Sequence, residues 1–280
     1  MTCLVWFYAF GLPNSGGAAI SQRPTGSFVV LTNNHGQSAN QSLQPFKNAT
    51  QPDVMVLQEA SARAPYYLRA AEYAEFKAAQ SVGEFTLLSR HPISSATPLT
   101  LEKDGKKQTV AVRFTVEWGS QSVAVYAVHL PSPRHALSFQ ARGPFILGMI
   151  GWMSPGLGAR RDTYQAYWDY QIELAEFLLK RIQGEALPAV AAGDFNAPDL
   201  GYIHSLFQNE LTDAHAAAGA GTGFTFPGTT HMPLSLGGPW MRIDYVFASK
   251  HWTVSTCVTE QDRPSQHRAV AAVLELSRRP

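Results

Sequence analysis

The chain has little cysteine and little charge. Its 280 residues include two cysteines, Cys3 and Cys257, which lie far apart and form no Cys-x-x-Cys pair. That spacing specifies neither a zinc site nor a disulfide framework, and nothing about redox compartment follows from it. Charged residues make up 15% of the chain and the net charge is +1. No global basic field points to nucleic acid, and dense Lys/Arg clusters are missing too. No apolar run approaches the roughly twenty residues that a membrane-spanning helix needs. The apolar stretch Met1–Leu12 is short, lacks the basic flank of a signal peptide, and is broken by Pro13-Asn14-Ser15-Gly16-Gly17. It reads either as the stub of a membrane anchor or as an edge strand or tail. Internal repeats are absent. The 45% of hydrophobic residues excludes a disordered chain and supplies a sizeable core.

What is present is a set of apolar, strand-like runs that each meet polar groups at one tip. Val190-Ala191-Ala192-Gly193-Asp194-Phe195-Asn196 is the most informative. On an extended strand end, Asp194 and Asn196 share a face, and Gly193 lets the backbone bend or be approached closely. A carboxylate and a carboxamide side by side suit a hard cation and a phosphate oxygen; a turn with an Asx hydrogen bond is the bland reading. Ser27 to Thr32 leads to Asn33-Asn34-His35-Gly36, Val54–Leu57 leads to Gln58-Glu59, and Val123–Val128 leads to His129. Arg242-Ile243-Asp244-Tyr245 begins a further strand, and Ser265-Gln266-His267-Arg268 precedes another. Strand tips are where α/β sheets carry ligands.

In this order the segments resemble the endonuclease/exonuclease/phosphatase superfamily of divalent-metal phosphoesterases, which includes deoxyribonuclease-like nucleases, inositol-phosphate phosphatases and sphingomyelinases. Gly193-Asp194-Phe195-Asn196 together with Arg242-Ile243-Asp244-Tyr245 is the specific pair; Leu88-Ser89-Arg90-His91-Pro92-Ile93 and Val128-His129-Leu130 add weight. The resemblance runs from about Ser27 to Leu276, and the long gap between His129 and Asp194 is similar to that of bacterial members found near membranes. It implies an α/β (α+β) fold, a four-layer sandwich of two packed mixed sheets flanked by helices. It also implies hydrolysis of phosphate esters by in-line attack of an activated water. By the resemblance Glu59 is a ligand of Mg²⁺ or Mn²⁺, with Asn33 beside the ion. Asp194 orients or deprotonates the water, and Asn196 holds a phosphate oxygen. His267 contacts the scissile phosphate and Asp244 fixes its tautomer, although Arg242 competes for Asp244. His129 is a second imidazole at the phosphate, and Arg90 touches phosphate or caps a loop. The chain departs from the family at Gln266, where an Asp that helps bind metal is usual. Gln keeps an oxygen acceptor but loses the charge, so metal affinity should fall.

The expected organisation is a stub and linker over 1–25 and a catalytic domain over 26–280, with an apolar insertion around 131–164. That insertion reads either as a lipid- or membrane-touching element or as a lid packed on the core. The partner is a phosphoester, lipid-linked or small. A deoxyribonuclease-like activity and a catalytically weakened phosphate-binding protein are the alternatives, and nucleic acid is disfavoured. A monomer is expected. Helices are predicted over 38–49, within 62–79, and over 163–183, 202–207 and 211–217. Strands are predicted over 85–89, 109–117 and 122–129 and from 242, 252 and 268, with a hairpin turn at Glu117–Ser120.

Overall fold

In a computed structural model, which describes residues 20, 23–36, 42–103, 105–133, 158–228, 238–261, 263 and 265–277, two six-stranded mixed sheets pack face to face. The strands are β1 (Ser27–Asn34), β2 (Val54–Gln58), β3 (Ala78–Val82), β4 (Phe85–Ser89), β5 (Ile93–Lys103) and β6 (Lys106–Trp118). They continue as β7 (Gln121–His129), β8 (Ala189–Asp194), β9 (Thr212–Asp213), β10 (Asp244–Ala248), β11 (Trp252–Thr259) and β12 (Val270–Leu276). The first sheet has the order β11-β12-β1-β2-β4-β3 and the second β5-β6-β7-β8-β10-β9. In each, a central parallel pair, β1 with β2 and β7 with β8, is flanked by antiparallel neighbours.

Alternation along the strands builds the layers. Phe28 and Val30 of β1, Val54 and Val56 of β2, Val123, Val125 and Ala127 of β7, Val190 and Ala192 of β8, and Val246 and Ala248 of β10 fill the space between the sheets. The opposite faces are apolar too, because helices cover them. Leu174, Leu178 and Ile182 of α3 (Gly158–Gln183) pack on the outer face of the second sheet. Phe46 of α1 (Phe46–Thr50) and Tyr67 of α2 (Ala64–Arg69) pack on the outer face of the first. With α4 (Tyr202–Glu210) and α5 (Ala214–Ala218), this is the expected four-layer sandwich. Each fully buried Val or Leu contributes about 1.5–3 kcal/mol by leaving water, so strands buried on both faces carry most of the stability.

The elements differ from expectation in places. Within the predicted helix over 38–49 the described helix is α1 alone. The stretch from 62 to 79 holds α2, a 3₁₀ turn at Ala71–Tyr73 and the start of β3. Strand β5 is missing from the prediction. Its sequence is polar and contains Pro98, which an edge position tolerates, and β5 is the edge of its sheet. Leu211–Ala217 is not all helix, since Thr212–Asp213 pairs with β10 before α5 begins. The predicted hairpin forms: Trp118 pairs with Gln121 across Gly119-Ser120, with Gly119 at φ 61°. Residues 1–19, and the apolar insertion from 134 to 157, lie outside the described residues. No helix among the described residues is long and apolar enough to cross a membrane.

Candidate active site

The site forms where both parallel strand pairs end and their antiparallel neighbours begin. His129, Asp194 and Asp244 are register partners across β7, β8 and β10. Each continues the series that faces the other sheet: 123-125-127-129, 190-192-194 and 248-246-244. Their polar ends therefore emerge together at the edge of the inter-sheet core, and Asp194 and Asp244 are buried.

The same parity moves the amide by one residue. Asn34, not Asn33, continues the inward series of Phe28, Val30 and Thr32. Its Nδ2 donates to Glu59 Oε1 at 3.2 Å and to Asp194 Oδ2 at 2.9 Å, linking carboxylates of the two sheets. Its Oδ1 accepts from Gly36 N at 2.8 Å. Asn33 faces away: its Nδ2 donates to the His267 carbonyl at 3.3 Å and its Oδ1 accepts from Arg263 at 3.4 Å. The amide beside Glu59 and Asp194 is therefore that of Asn34 rather than Asn33.

Asp194 stands between two imidazoles. His129 Nε2 and His267 Nε2 each lie 3.8 Å from Asp194 Oδ2. The far nitrogen of each ring is held by a carboxylate: His129 Nδ1 by Glu84 Oε2 at 3.0 Å, and His267 Nδ1 by Asp244 Oδ2 at 2.9 Å. A carboxylate at Nδ1 keeps a proton on that nitrogen and turns Nε2 toward the centre, where it carries a proton only when the ring is charged. Burial disfavours the charge on both rings, but the carboxylates outweigh it. His129 is raised to about 9 by Glu84, Asp194 and Glu59, and His267 is raised by Asp244 and Asp194. Burial and the charge of Asp244 push Asp194 up, against the pull of His267 and His129. Among the described residues, Asp194, Asp244 and His267 are the grouping whose ligand atoms all lie within 4.8 Å of one another. Both oxygens of Asp244 already face His267 Nδ1, at 3.2 and 2.9 Å. Arg242, its expected competitor, pairs instead with Asp213 at 2.8 Å.

Asn196 takes the turn reading of its segment. Its N–H donates to Asp194 Oδ1 at 2.9 Å, an Asx turn, while its Nδ2 donates to the Leu130 carbonyl at 2.8 Å. It adopts φ 47°, and Glu59 adopts φ 51°. For a side chain bearing a Cβ this left-handed backbone costs on the order of 1–2 kcal/mol, and both sit at the site, where such strain concentrates. Gly193 shows why its position excludes a side chain: a Cβ there would lie 1.9 Å from the Val128 carbonyl oxygen.

Gln266 lies beside the end of β1. A Cβ on Gly36 would stand 3.0 Å from its Cδ and 3.1 Å from its Oε1. Arg90 is not at the site. Because β4 runs antiparallel to β2, Ser89 pairs with Val54 at the start of β2, whereas Glu59 follows its end. Arg90 there donates to the Pro52 carbonyl at 2.8 Å and to Gln51 Oε1 at 3.0 Å.

Sequence reasoning missed three contributors. Asn34 was readable from strand parity. Glu84 sits in the β3–β4 turn and needs the sheet pairing to reach His129. Thr225, buried, accepts from the N–H groups of Ile243 and Asp244 at 3.3 Å each and orients the start of β10; no local pattern announces it.

Two carboxylates and an imidazole, Asp194, Asp244 and His267, form a donor set that could hold a divalent ion. The family model described as the Endonuclease/Exonuclease/phosphatase family matches residues 37–267. A search of curated proteins gives no match. Solved structures share the fold. One is an endonuclease/exonuclease/phosphatase family protein from Bacteroides thetaiotaomicron, with TM-score 0.61 and 13% identity, over 92% of this chain and 100% of that one. The human Nocturnin catalytic domain with bound sulfate gives TM-score 0.59 and 15% identity, over 92% and 96%. The 3' phosphatase NExo from Neisseria, bound to a product DNA hairpin, gives TM-score 0.57 and 15% identity, over 90% and 100%.

Proposed function

Because the chain belongs to the endonuclease/exonuclease/phosphatase family, whose members hydrolyse phosphoesters, we propose that it is a divalent-metal-dependent hydrolase acting on a lipid-linked or other small phosphate ester. The observation that carries this reading is the row Glu84–His129, Asp194, His267–Asp244, in which each imidazole lies 3.8 Å from the central carboxylate. A Mg²⁺ or Mn²⁺ ion held by Glu59, with Asn34 in the place expected for Asn33 and Gln266 nearby, would supply neutralisation of phosphoryl charge. The protein's own groups do the rest. His129 and His267, each with Nε2 facing Asp194, would donate to the phosphoryl oxygens in their charged forms, which the neighbouring carboxylates favour. Asp194 accepts the proton of the attacking water. Asn196, fixed by its bond to Leu130, holds a phosphate oxygen.

Gln266 favours a second reading, a phosphate-binding protein of weakened activity, since the charge usual at this position is missing. One assay separates the two: hydrolysis of bis-p-nitrophenyl phosphate, p-nitrophenyl phosphate, a prenyl phosphate and plasmid DNA with Mg²⁺, Mn²⁺ or chelator. Metal-dependent turnover that disappears in both Asp194→Ala and Glu59→Gln is expected. Binding of phosphate without turnover of any substrate would replace the hydrolase by the binding protein, and turnover confined to DNA would make it a nuclease.

A further inference from the structure

The pair Asp244–His267 is assembled across the seam between the two sheets. Asp244 opens β10 in the second sheet, whereas His267 lies three residues before β12 in the first. His267 Nδ1 lies 2.9 Å from Asp244 Oδ2, so the spacing of the two strand starts sets this bond. No strand pairing joins the two sheets among the described strands, and the apolar packing between them is non-directional. Something else has to fix the spacing.

The segment Thr225–Gly228 bonds to both sides of that seam. On the Asp244 side, Phe226 and Met241 exchange N–H···O bonds at 2.9 and 2.8 Å, and Thr225 N donates to Met241 O at 2.8 Å. Thr225 Oγ1 continues along the same run and accepts from Ile243 N and Asp244 N at 3.3 Å each. On the His267 side, Thr225 O accepts from Arg268 N at 2.9 Å, and Gly228 N donates to Gln266 O at 2.6 Å. The Phe226 ring meets the His267 ring with 5.0 Å between centroids. Gly228 allows the approach, since a Cβ there would lie 1.8 Å from Ser265 O. Fully buried Thr225 thus holds Asp244 with its hydroxyl and the neighbour of His267 with its carbonyl. The 3.3 Å bonds are weak singly. Replacing the hydroxyl by a methyl would nonetheless take the acceptor from two N–H groups at once, the costly side of hydrogen-bond loss.

We infer that Thr225 and Phe226 are positioning residues, which bridge the two sheets and set Asp244 and His267 at the separation where the carboxylate aims the imidazole at the phosphate. This rests on the reading of His267 as a group that acts on the phosphate. A Thr225 that served the core alone would contribute stability and leave the imidazole where it is.

The test compares Thr225→Val, which keeps the shape and loses the acceptor, with Thr225→Ser, which keeps the acceptor, both in the full chain. Turnover of bis-p-nitrophenyl phosphate with Mn²⁺ is measured below the melting temperature of each variant. Thr225→Val is expected to lower kcat on the order of tenfold, as a small misplacement of a reacting group does. KM should change less than about twofold, because the loss falls on the transition state, and Thr225→Ser should recover most of the rate. A second readout needs no turnover. With no metal added, the low-field proton resonances of His267 Nδ1 and His129 Nδ1 report their bonds to Asp244 and Glu84, and each is assigned by its loss in His267→Asn or His129→Asn. Thr225→Val should move the His267 resonance and leave that of His129 in place, and Thr225→Ser should return it. Full kcat in folded Thr225→Val, a loss that serine does not recover, or an unmoved His267 resonance would each overturn the inference. If wild type hydrolyses nothing, the hydrolase reading falls and the resonances decide alone: a shift confined to His267 keeps the positioning role, and no shift removes it. Should Thr225→Val not fold, Phe226→Leu takes only the ring from His267, and its His267 resonance is read in the same way.

Discussion

Asn33 and Asn34 have the same chemistry and differ only in which face of β1 they occupy. Asn34→Ala removes the amide that links Glu59 to Asp194 and should lower kcat/KM roughly 10- to 100-fold, as loss of a group that orients ligands does. Asn33→Ala removes a bond to the His267 backbone and should cost about 1 kcal/mol of stability with a far smaller change in rate. Steady-state kinetics and melting of both variants decide, and the reverse pattern would restore Asn33 to the site. Glu59, His129, Asp194 and Asp244 were legible because a polar residue that ends or begins an apolar run is a local signal. Glu84 and Thr225 were not, since each acts on a residue far away in sequence, and the choice between the two readings of Arg90 needed the antiparallel pairing of β2 and β4, which puts it on the loop before β2. Gln266 carries its own test. Its side chain borders Gly36, whose N–H holds Asn34, so Gln266→Asp should add charge at this end of β1 and tighten Mn²⁺ binding measured by calorimetry. Unchanged affinity would show that the side chain points away from the ion.

At the level of elements, the contact between β7 and β8 sets the register that brings His129 beside Asp194. Gly193 permits it, because a Cβ there would lie 1.9 Å from Val128 O and 2.8 Å from Val128 C, backbone atoms that cannot rotate aside. Gly193→Ala should therefore separate the strands and cost at least about 3 kcal/mol, beyond ordinary overpacking. Gly26→Ala is the comparison: φ is +78° and nothing lies within 4 Å of the added Cβ, so only the backbone term of about 1–2 kcal/mol remains. Urea denaturation of the two variants measures the difference, and equal midpoints would refute the crowding argument. The sequence showed the glycine and its abrupt end to an apolar run, but not which strand approaches it. Central strands were readable for the reason that makes them central, since burial on both faces leaves an unbroken apolar run. Edge strand β5, half-polar and interrupted by Pro98, has no such signature.

For the molecule as a whole, net charge near zero conceals strong internal pairing, and one buried cluster braces the second sheet behind the site. Asp213 accepts from His204 Nε2 at 2.8 Å, pairs with Arg242 Nη1 at 2.8 Å, and caps α5 through the N–H groups of His215 and Ala216. Arg242 also lies 3.7 Å from Asp199, in the turn that follows Asn196. The cluster thus joins β9, β10, α4, α5 and the loop that leaves Asp194. Burial opposes the Asp213 charge, but His204 and Arg242 outweigh it and hold the carboxyl well below the usual range. A depressed carboxyl pKa contributes stability above its unfolded value of about 3.9, and that contribution fades as pH falls toward the folded value. Wild-type unfolding free energy should therefore drop as pH is lowered from about 4. Asp213→Asn should cost about 3 kcal/mol at neutral pH, since it leaves Arg242 buried without its nearest counter-charge, and should flatten the acid slope. Urea unfolding of both proteins at pH 7, 5, 4 and 3 tests this. Parallel slopes would assign the acid lability to other carboxylates, and equal stability at pH 7 would mean that the cluster braces nothing.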